Sequence, residues 1–317
     1  MAPEVRPSAE PRPTPTPAPS ADRPSVGTKL AGYVRAMRPR QWPKNALVFA
    51  APIAAGDAAH LHTMAEATAA FAAFCMAASA TYLVNDVRDV EADRRHPVKR
   101  SRPIAAGVIT TTSAYVLAAV LLVGALAIGF AVRRDFGITL LAYLLLTTSY
   151  TIWLKRQPIL DIIAVAAGFV LRAIGGATAT GLPISEWFFI VTSFGALLIV
   201  VGKRESELHT LGDRAAEVRP ILAVYTRDFL RYLRAVATGV VLVAYCLWAF
   251  ESAGRSQDGA VWFQLSIVPF TAAIFQYALV LERGGGEHPE VVLTTDRAIL
   301  VSGAVWALIY GFAVYRT

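Results

Sequence analysis

Tyr82-Leu-Val-Asn85-Asp86-Val-Arg88-Asp89-Val-Glu91-Ala-Asp93-Arg94-Arg95-His96-Pro97 is the stretch on which the fold turns. An apolar run over 66–88 flows into it with no turn residue between, and Pro97 sets its expected end. On a helix advancing about 100° per residue, Asn85, Asp89 and Asp93 climb one face at i, i+4, i+8. Asp86 joins them, because residues seven apart nearly coincide in angle. Four oxygen-bearing side chains then share an arc of about 100°. Carboxylates that close repel one another, so the cluster needs a positive partner or a divalent cation. Hard oxygen donors suit Mg²⁺, with Mn²⁺ as a substitute, and Mg²⁺ is typically shared with substrate phosphates. The plainer alternative is a solvated helix end whose acids pair with Arg88, Arg94 and Arg95. Glu91 and Arg88 lie off the acidic arc and read as ordinary paired charges.

A strongly charged helix end fed by an apolar run is the mouth of a membrane span, and the rest of the chain agrees. Of 317 residues, 55% are hydrophobic and only 17% charged, against about 25% charged in soluble domains. Nine apolar segments approach the roughly 20 residues a bilayer requires: 42–58, 66–88, 112–132, 136–154, 159–180, 185–203, 229–250, 262–282 and 296–315. The first is short and interrupted by Pro43 and Pro52; Pro158 and Pro183 start later helices, and Pro269 is placed to kink the eighth. Cys75 and Cys246 both sit in apolar runs, which excludes a disulfide scaffold. Residues 1–27 hold eight of the 18 prolines and almost no large apolar side chain, so they read as a disordered tail without a signal-peptide core. Residues 28–317 form one polytopic membrane domain, opened by a basic amphipathic lead-in with Tyr33, Val34 and Met37 against Arg35, Arg38 and Arg40.

Lys and Arg orient the spans. With the N-terminus inside, 21 basic residues fall in or beside the loops of that side and four on the other. The expectation is a multi-pass plasma-membrane protein, its N-terminus and polar mouth cytoplasmic and its C-terminus outside. Concentration of the basic excess in short loops also excludes a nucleic-acid binder. Several of these residues are placed to receive phosphate at the same rim: Lys44 with Asn45, Lys99, Arg102 ahead of Pro103, Tyr150 and Lys155. Arg100 and Arg156 read instead as headgroup anchors. Arg172 lies within the fifth span, where a charge costs roughly 2.5–3.5 kcal/mol at the bilayer centre. It must therefore face the bundle interior, either paired with helix carbonyls or anchoring an anionic substrate group. Gly168, Gly175, Gly176 and Gly181 read as close-packing positions.

An Asn-Asp-x-x-Asp-x-x-x-Asp motif closing the second of nine helices resembles the UbiA superfamily of membrane prenyltransferases. Arg38-Pro-Arg-Gln-Trp-Pro-Lys-Asn45, the 85–97 stretch, Lys99-Arg-Ser-Arg-Pro-Ile-Ala-Ala-Gly107 and Gly202-Lys-Arg-Glu-Ser-Glu-Leu-His209 are similar to its actinobacterial phosphoribosyl-transferring branch. The resemblance covers residues 30–315. It implies an all-α integral membrane bundle with a cytoplasm-facing polar cavity. It also implies Mg-dependent transfer of 5-phosphoribose from phosphoribosyl pyrophosphate (PRPP) to decaprenyl phosphate, releasing pyrophosphate, for the arabinose donor of cell-wall arabinan. Partners are then PRPP, the polyprenyl phosphate and membrane lipids, with a homo-oligomer left open. Asn85, Asp86, Asp89 and Asp93 become the metal ligands, with Asp89 and Asp93 catalytic.

The chain departs from the wider superfamily at the end of the sixth span. Aromatic prenyltransferases carry a second Asp-x-x-x-Asp there; this chain reads Lys203-Arg204-Glu205-Ser-Glu207-Leu-His209, with Asp213 beyond. Such a motif favours a donor bound partly by cations, which makes Lys203, Arg204, Glu207 and His209 candidate substrate contacts. Two helical rows compete for that role, Glu205–His209–Asp213 and Lys203–Glu207. The alternative reading is a polyprenyl diphosphate-dependent prenyltransferase with a small polar or aromatic acceptor. A transporter would explain the spans but not the acidic face.

Overall fold

The structure, a computed structural model, describes residues 26–212, 220–255 and 259–315. Helices account for nearly all of it, and no strand occurs among the described residues. A short α1 (Val26–Ala36) leads into a 3-10 helix over Pro39–Phe49, continued by α2 (Ala50–Ala54). Eight helices long and apolar enough to cross a membrane follow. They are α3 (Leu61–Arg88), α5 (Thr111–Val132), α6 (Arg134–Ile152), α7 (Leu160–Thr180), α8 (Glu186–Leu211), α9 (Arg227–Arg255), the broken pair α10 (Ala260–Leu265) and α11 (Ile267–Glu282), and α13 (Arg297–Tyr315). Two short helices, α4 (Val90–Arg95) and α12 (Pro289–Thr295), lie in the connections. With its apolar spans and buried charges, the chain is an integral membrane protein.

The first span differs from the expected α-helix over 42–58. Pro43 cannot donate the bond an α-turn needs, and the chain winds more tightly from Pro39 to Phe49. Eleven residues at about 2.0 Å and five at about 1.5 Å give roughly 30 Å, so this ninth segment matches the hydrocarbon thickness although it is short in residues. Trp42 Nε1 pins it to Ser79 Oγ of α3 at 3.2 Å. It also lies against α7 at Gly176, where a Cβ would sit 1.9 Å from the Val48 carbonyl oxygen. Gly175 and Gly176 therefore serve helix contact, whereas Gly168 meets only Arg172 of its own helix and Gly181 is the left-handed cap that ends α7. The eighth span breaks at Ser266, as Pro269 requires: its missing N–H leaves the Leu265 carbonyl without its α-helical donor.

Two cores organise the bundle. Phe74, Phe136, Leu140, Tyr143 and Val48 join α3, α6 and the first span, while Ile162, Val201, Leu222 and Leu230 join α7, α8 and the start of α9. A third cluster docks α1 and the 104–109 turn on α3 through Ala36, Leu83, Ile104 and Ile109. The lead-in helix is thus packed onto the protein by Tyr33 and Ala36, with Leu30 and Val34 its exposed large apolar side chains. Of the sequence expectations, most of the tail and Asp213 lie outside the described residues.

Candidate active site

The acidic stretch does not run as one straight helix. α3 ends at Arg88, Asp89 leaves helical geometry at φ −94° and ψ 5°, and α4 resumes at Val90. Two backbone bonds bridge the kink, Asp89 N to the Asn85 carbonyl at 3.0 Å and Asp93 N to that of Asp89 at 2.8 Å. The expected four-oxygen face is therefore split. Asp86 and Asp93 are buried, Asp89 is exposed at the kink, and Asn85 turns its amide to Thr151 Oγ1 at 3.4 Å.

The buried pair converges on one cation. Arg102 Nη1 donates to Asp93 Oδ2 at 2.6 Å and to Asp86 Oδ1 at 3.1 Å. Arg38 Nη2 reaches the same Asp86 oxygen at 2.5 Å. Arg102 was a sequence candidate and belongs here; Arg38 was read as a surface charge, although it stands in the 38–45 motif. Its backbone explains how it arrives. Arg38 sits at φ 55°, ψ 59°, a left-handed conformation that is uncommon for non-glycine residues, and this turns the chain from α1 into the first span. Tyr82, one turn before Asp86, lies under the Arg38 guanidinium at 4.7 Å.

A second, basic pole lies across Tyr82. Arg172 Nε donates to Asn45 Oδ1 at 2.7 Å, Nη1 to the Gly168 carbonyl at 2.6 Å, and Nη2 to the Tyr143 hydroxyl at 2.9 Å. This polar knot satisfies the mid-membrane charge from three helical segments, and it uses Asn45 as the partner. Lys44, beside it in the chain, bonds Gln41 Oε1 at 2.6 Å and lies within electrostatic range of Glu290, Lys203 and Arg172. Lys203 has no ion-pair partner among the described residues. The first span, α7 and α8 thus bring three cations together, with Glu290 of α12 as an acid that sequence reading did not single out.

Of the two competing rows on α8, Lys203 comes within electrostatic range of Lys44 of the first span, and Glu207 pairs with Arg204 of its own helix. Glu205 instead faces α9, its oxygens 3.3 Å from Arg234 Nε and 3.6 Å from Arg231 Nε, and His209 is exposed beside Gly284. Arg204 is buried and committed to protein carboxylates: Nε to Asp161 Oδ2 at 3.2 Å and Nη1 to Glu207 Oε2 at 3.0 Å. Asp161 also accepts from Tyr225, whose hydroxyl receives the Ile159 N–H at 2.7 Å. Burial, followed by that bond to Asp161, pushes the Tyr225 phenol pKa above its ordinary value. Tyr150 lies within electrostatic range of Arg204. Lys99 and Lys155 are exposed on the connecting turns, apart from these contacts.

Asn85, Asp86, Asp89 and Asp93 are a hard-oxygen donor set of the kind Mg²⁺ takes, and two of them already gather about a single positive nitrogen. Among the described residues no group of three or more His, Cys, Asp or Glu is assembled as a metal site. A bound cation would share Asp86 and Asp93 with Arg38 and Arg102.

Comparisons with known proteins agree with this fold. The chain is 42% identical over 290 residues to a decaprenyl-phosphate phosphoribosyltransferase of Corynebacterium glutamicum, covering 90% of this chain and 87% of that protein. It is 42% identical over 289 residues to the protein of the same name from Mycobacterium tuberculosis, covering 90% and 95%. Among solved structures, a UbiA homologue from Archaeoglobus fulgidus bound to GPP and Mg²⁺ superposes with a TM-score of 0.65 at 18% identity, over 90% of this chain and 100% of that one. An apo UbiA homologue from Aeropyrum pernix gives 0.58 at 15% identity, over 86% and 96%. The family model for UbiA prenyltransferases matches residues 46–314. A helical membrane bundle with its acidic motif at the end of the first long apolar helix, matched along most of its length, belongs to the UbiA prenyltransferase family.

Proposed function

We propose that this chain transfers 5-phosphoribose from PRPP to decaprenyl phosphate, releasing pyrophosphate. The observation that carries the reading is identity of 40–42% across 90% of the chain to proteins bearing that activity as their name. The geometry supports it. A donor with a 5-phosphate and a pyrophosphate needs cations at two places. The site offers Lys44 and Lys203 near Arg172 on one side, and the Arg38–Arg102 pair among the acids on the other.

Little general-base chemistry is required. A phosphate monoester is already ionised near neutral pH, its second pKa being about 6. The barrier lies in expelling pyrophosphate while positive charge builds on the ribose ring. Asn85, Asp86, Asp89 and Asp93 would hold Mg²⁺, which supplies charge neutralisation for the departing pyrophosphate. Lys203 and Lys44 share that load as donors fixed before reaction. Arg204 acts as a positioning residue, locking the end of α8 to Asp161 so that Lys203 is presented. Attack by the lipid phosphate opposite the leaving group inverts the anomeric carbon, and holding both anions in line supplies much of the rate. In this reading the site opens to the cytoplasm, where PRPP is supplied, and the C-terminus lies outside, as the basic loops indicate.

The test uses detergent-purified full-length protein with PRPP labelled in the ribose, decaprenyl phosphate and Mg²⁺. Label moving into the organic phase, with pyrophosphate released in equal amount, is expected. Absence of transfer from PRPP, with transfer from a polyprenyl diphosphate to a small acceptor, would replace this reading by the prenyltransferase alternative.

A further inference from the structure

A groove of about 440 Å³ runs down the outer face of the bundle between α3, α5 and α6, meeting the acidic motif at Asn85. Its floor is made of small residues, Ala80, Ala118 and Ala119, which leave room where larger side chains would close the helices together. Its walls are leucines, among them Leu122, Leu141 and Leu145. α3 ends, α5 begins and α6 ends on the same side of the membrane, so most of the polar lining gathers at that end, with Thr81 and Thr148 the hydroxyls deeper in the groove. The polar residues at that end form a collar of Asn85, Arg88, Tyr115 and Thr151. From Tyr115 down to Leu126 the groove follows eleven residues of α5, roughly 16 Å, which is one leaflet of a hydrocarbon core about 30 Å thick.

The collar carries a single cation. Arg88 is exposed and has no hydrogen-bond or ion-pair partner among the described residues, although Asp89 adjoins it in the chain. Around it stand neutral polar groups only: the Asn85 amide and the hydroxyls of Tyr115 and Thr151. One positive charge with neutral donors complements a phosphodiester, which bears one negative charge. A phosphate monoester carries about −1.5 to −2, and the clustered cations that suit it lie elsewhere, at Arg38, Lys44, Arg172 and Lys203. Basic pockets between transmembrane helices at the membrane surface are a recognised way of holding anionic headgroups.

We propose that this groove seats one anionic phospholipid of the bilayer. One acyl chain lies over Ala118 and Ala119, and the phosphodiester rests on Arg88. Since Asn85 is both a wall of the groove and the neighbour of Asp86, a bound lipid braces the end of α3 against α6 beside the acidic motif. The proposal does not depend on which reaction the chain performs.

The experiment reconstitutes the full chain in phosphatidylcholine nanodiscs containing a minor share of photoactivatable phosphatidylglycerol, and maps the cross-linked peptides. Labelling should concentrate in residues 80–88, 115–126 and 141–151. Arg88→Gln should lower it about fivefold, the value of roughly 1 kcal/mol for one basic residue near a membrane surface. Ala119→Trp should abolish it by filling the floor. Leu145→Trp, at an exposed rim position, should lower it if the floor variant does not fold. Even labelling around the bundle, or equal labelling by a phosphatidylcholine probe, would overturn the proposal. So would displacement of the probe from these peptides by decaprenyl phosphate, which would assign the groove to the acceptor.

Discussion

Asp86 and Asp93 are seven residues apart, and one guanidinium reaches both. That contact gives the acidic motif an inner pair and an outer member, Asp89. Replacing Asp89 or Asp93 with Asn should lower turnover at saturating substrate by about 10²-fold or more, the range for losing one group that stabilises transition-state charge. Glu91→Gln should leave it nearly unchanged, because Glu91 is exposed and pairs only with Arg94 at 2.7 Å. Steady-state assays of the three variants decide whether the acidic face matters or acidity in general does. A second residue-scale prediction concerns Ile159, held at φ 66°, where a β-branched side chain costs about 1–3 kcal/mol. Tyr225 receives its N–H and pins Asp161, so Tyr225→Phe should lower the thermal unfolding midpoint. The phenol keeps its proton longer in the folded than in the unfolded chain. Its contribution is therefore complete below the ordinary tyrosine pKa of about 10 and is lost as pH rises through and beyond it. Unfolding midpoints of wild type should fall across alkaline pH more steeply than those of the variant.

Among the helices, α7 approaches the first span at Gly176, where backbone lies against backbone. A Cβ at Gly176 would meet the Val48 backbone at 1.9 Å, and backbone cannot turn aside as a side chain can. Gly176→Ala should destabilise the protein by at least the ~1–3 kcal/mol typical of overpacking. It should also reduce activity, because Asn45 and Lys44 ride on the displaced segment. Gly195→Ala in α8, with nothing within 4 Å of the new methyl, should be neutral or slightly stabilising. Thermal melts in detergent compare the two. The tight 3-10 winding of the first span is part of the same arrangement. It gives sixteen residues the reach of an ordinary span and places Lys44 at the rim while Val48 meets α7.

At the scale of the molecule, the basic loops make a prediction about sidedness. With Cys75 and Cys246 replaced by Ser, a membrane-impermeant maleimide applied to spheroplasts should label Arg134→Cys. It should spare Arg156→Cys until the membrane is opened. The reverse pattern would invert the proposed topology and put the acidic motif outside. Metal dependence is also a property of the assembled site. Excess EDTA should abolish turnover, and Mg²⁺ or Mn²⁺ should restore it; full activity in the chelator would remove the cation from the reading of Asn85–Asp93.

What the sequence determined by itself is what depends on local pattern. Apolar run lengths located the spans, Lys and Arg counts set an expected orientation, and helical spacing marked Asn85, Asp86, Asp89 and Asp93 out from Glu91. Such features follow from residue type and period, which need no distant partner. Tertiary structure decided everything that depends on which helices meet. It gave Asp86 and Asp93 to Arg38 and Arg102, which approach from two different connections. It spent Arg172 on Asn45, 127 positions away, and on Tyr143. It committed Arg204 to Asp161 and left Lys203, its neighbour in the chain, without an ion pair among the described residues. Adjacent residues on a helix point about 100° apart, so two neighbouring cations serve opposite purposes according to what packs beside each. A buried charge must find its counter-charge wherever the fold brings one, and no periodicity in the chain records that choice.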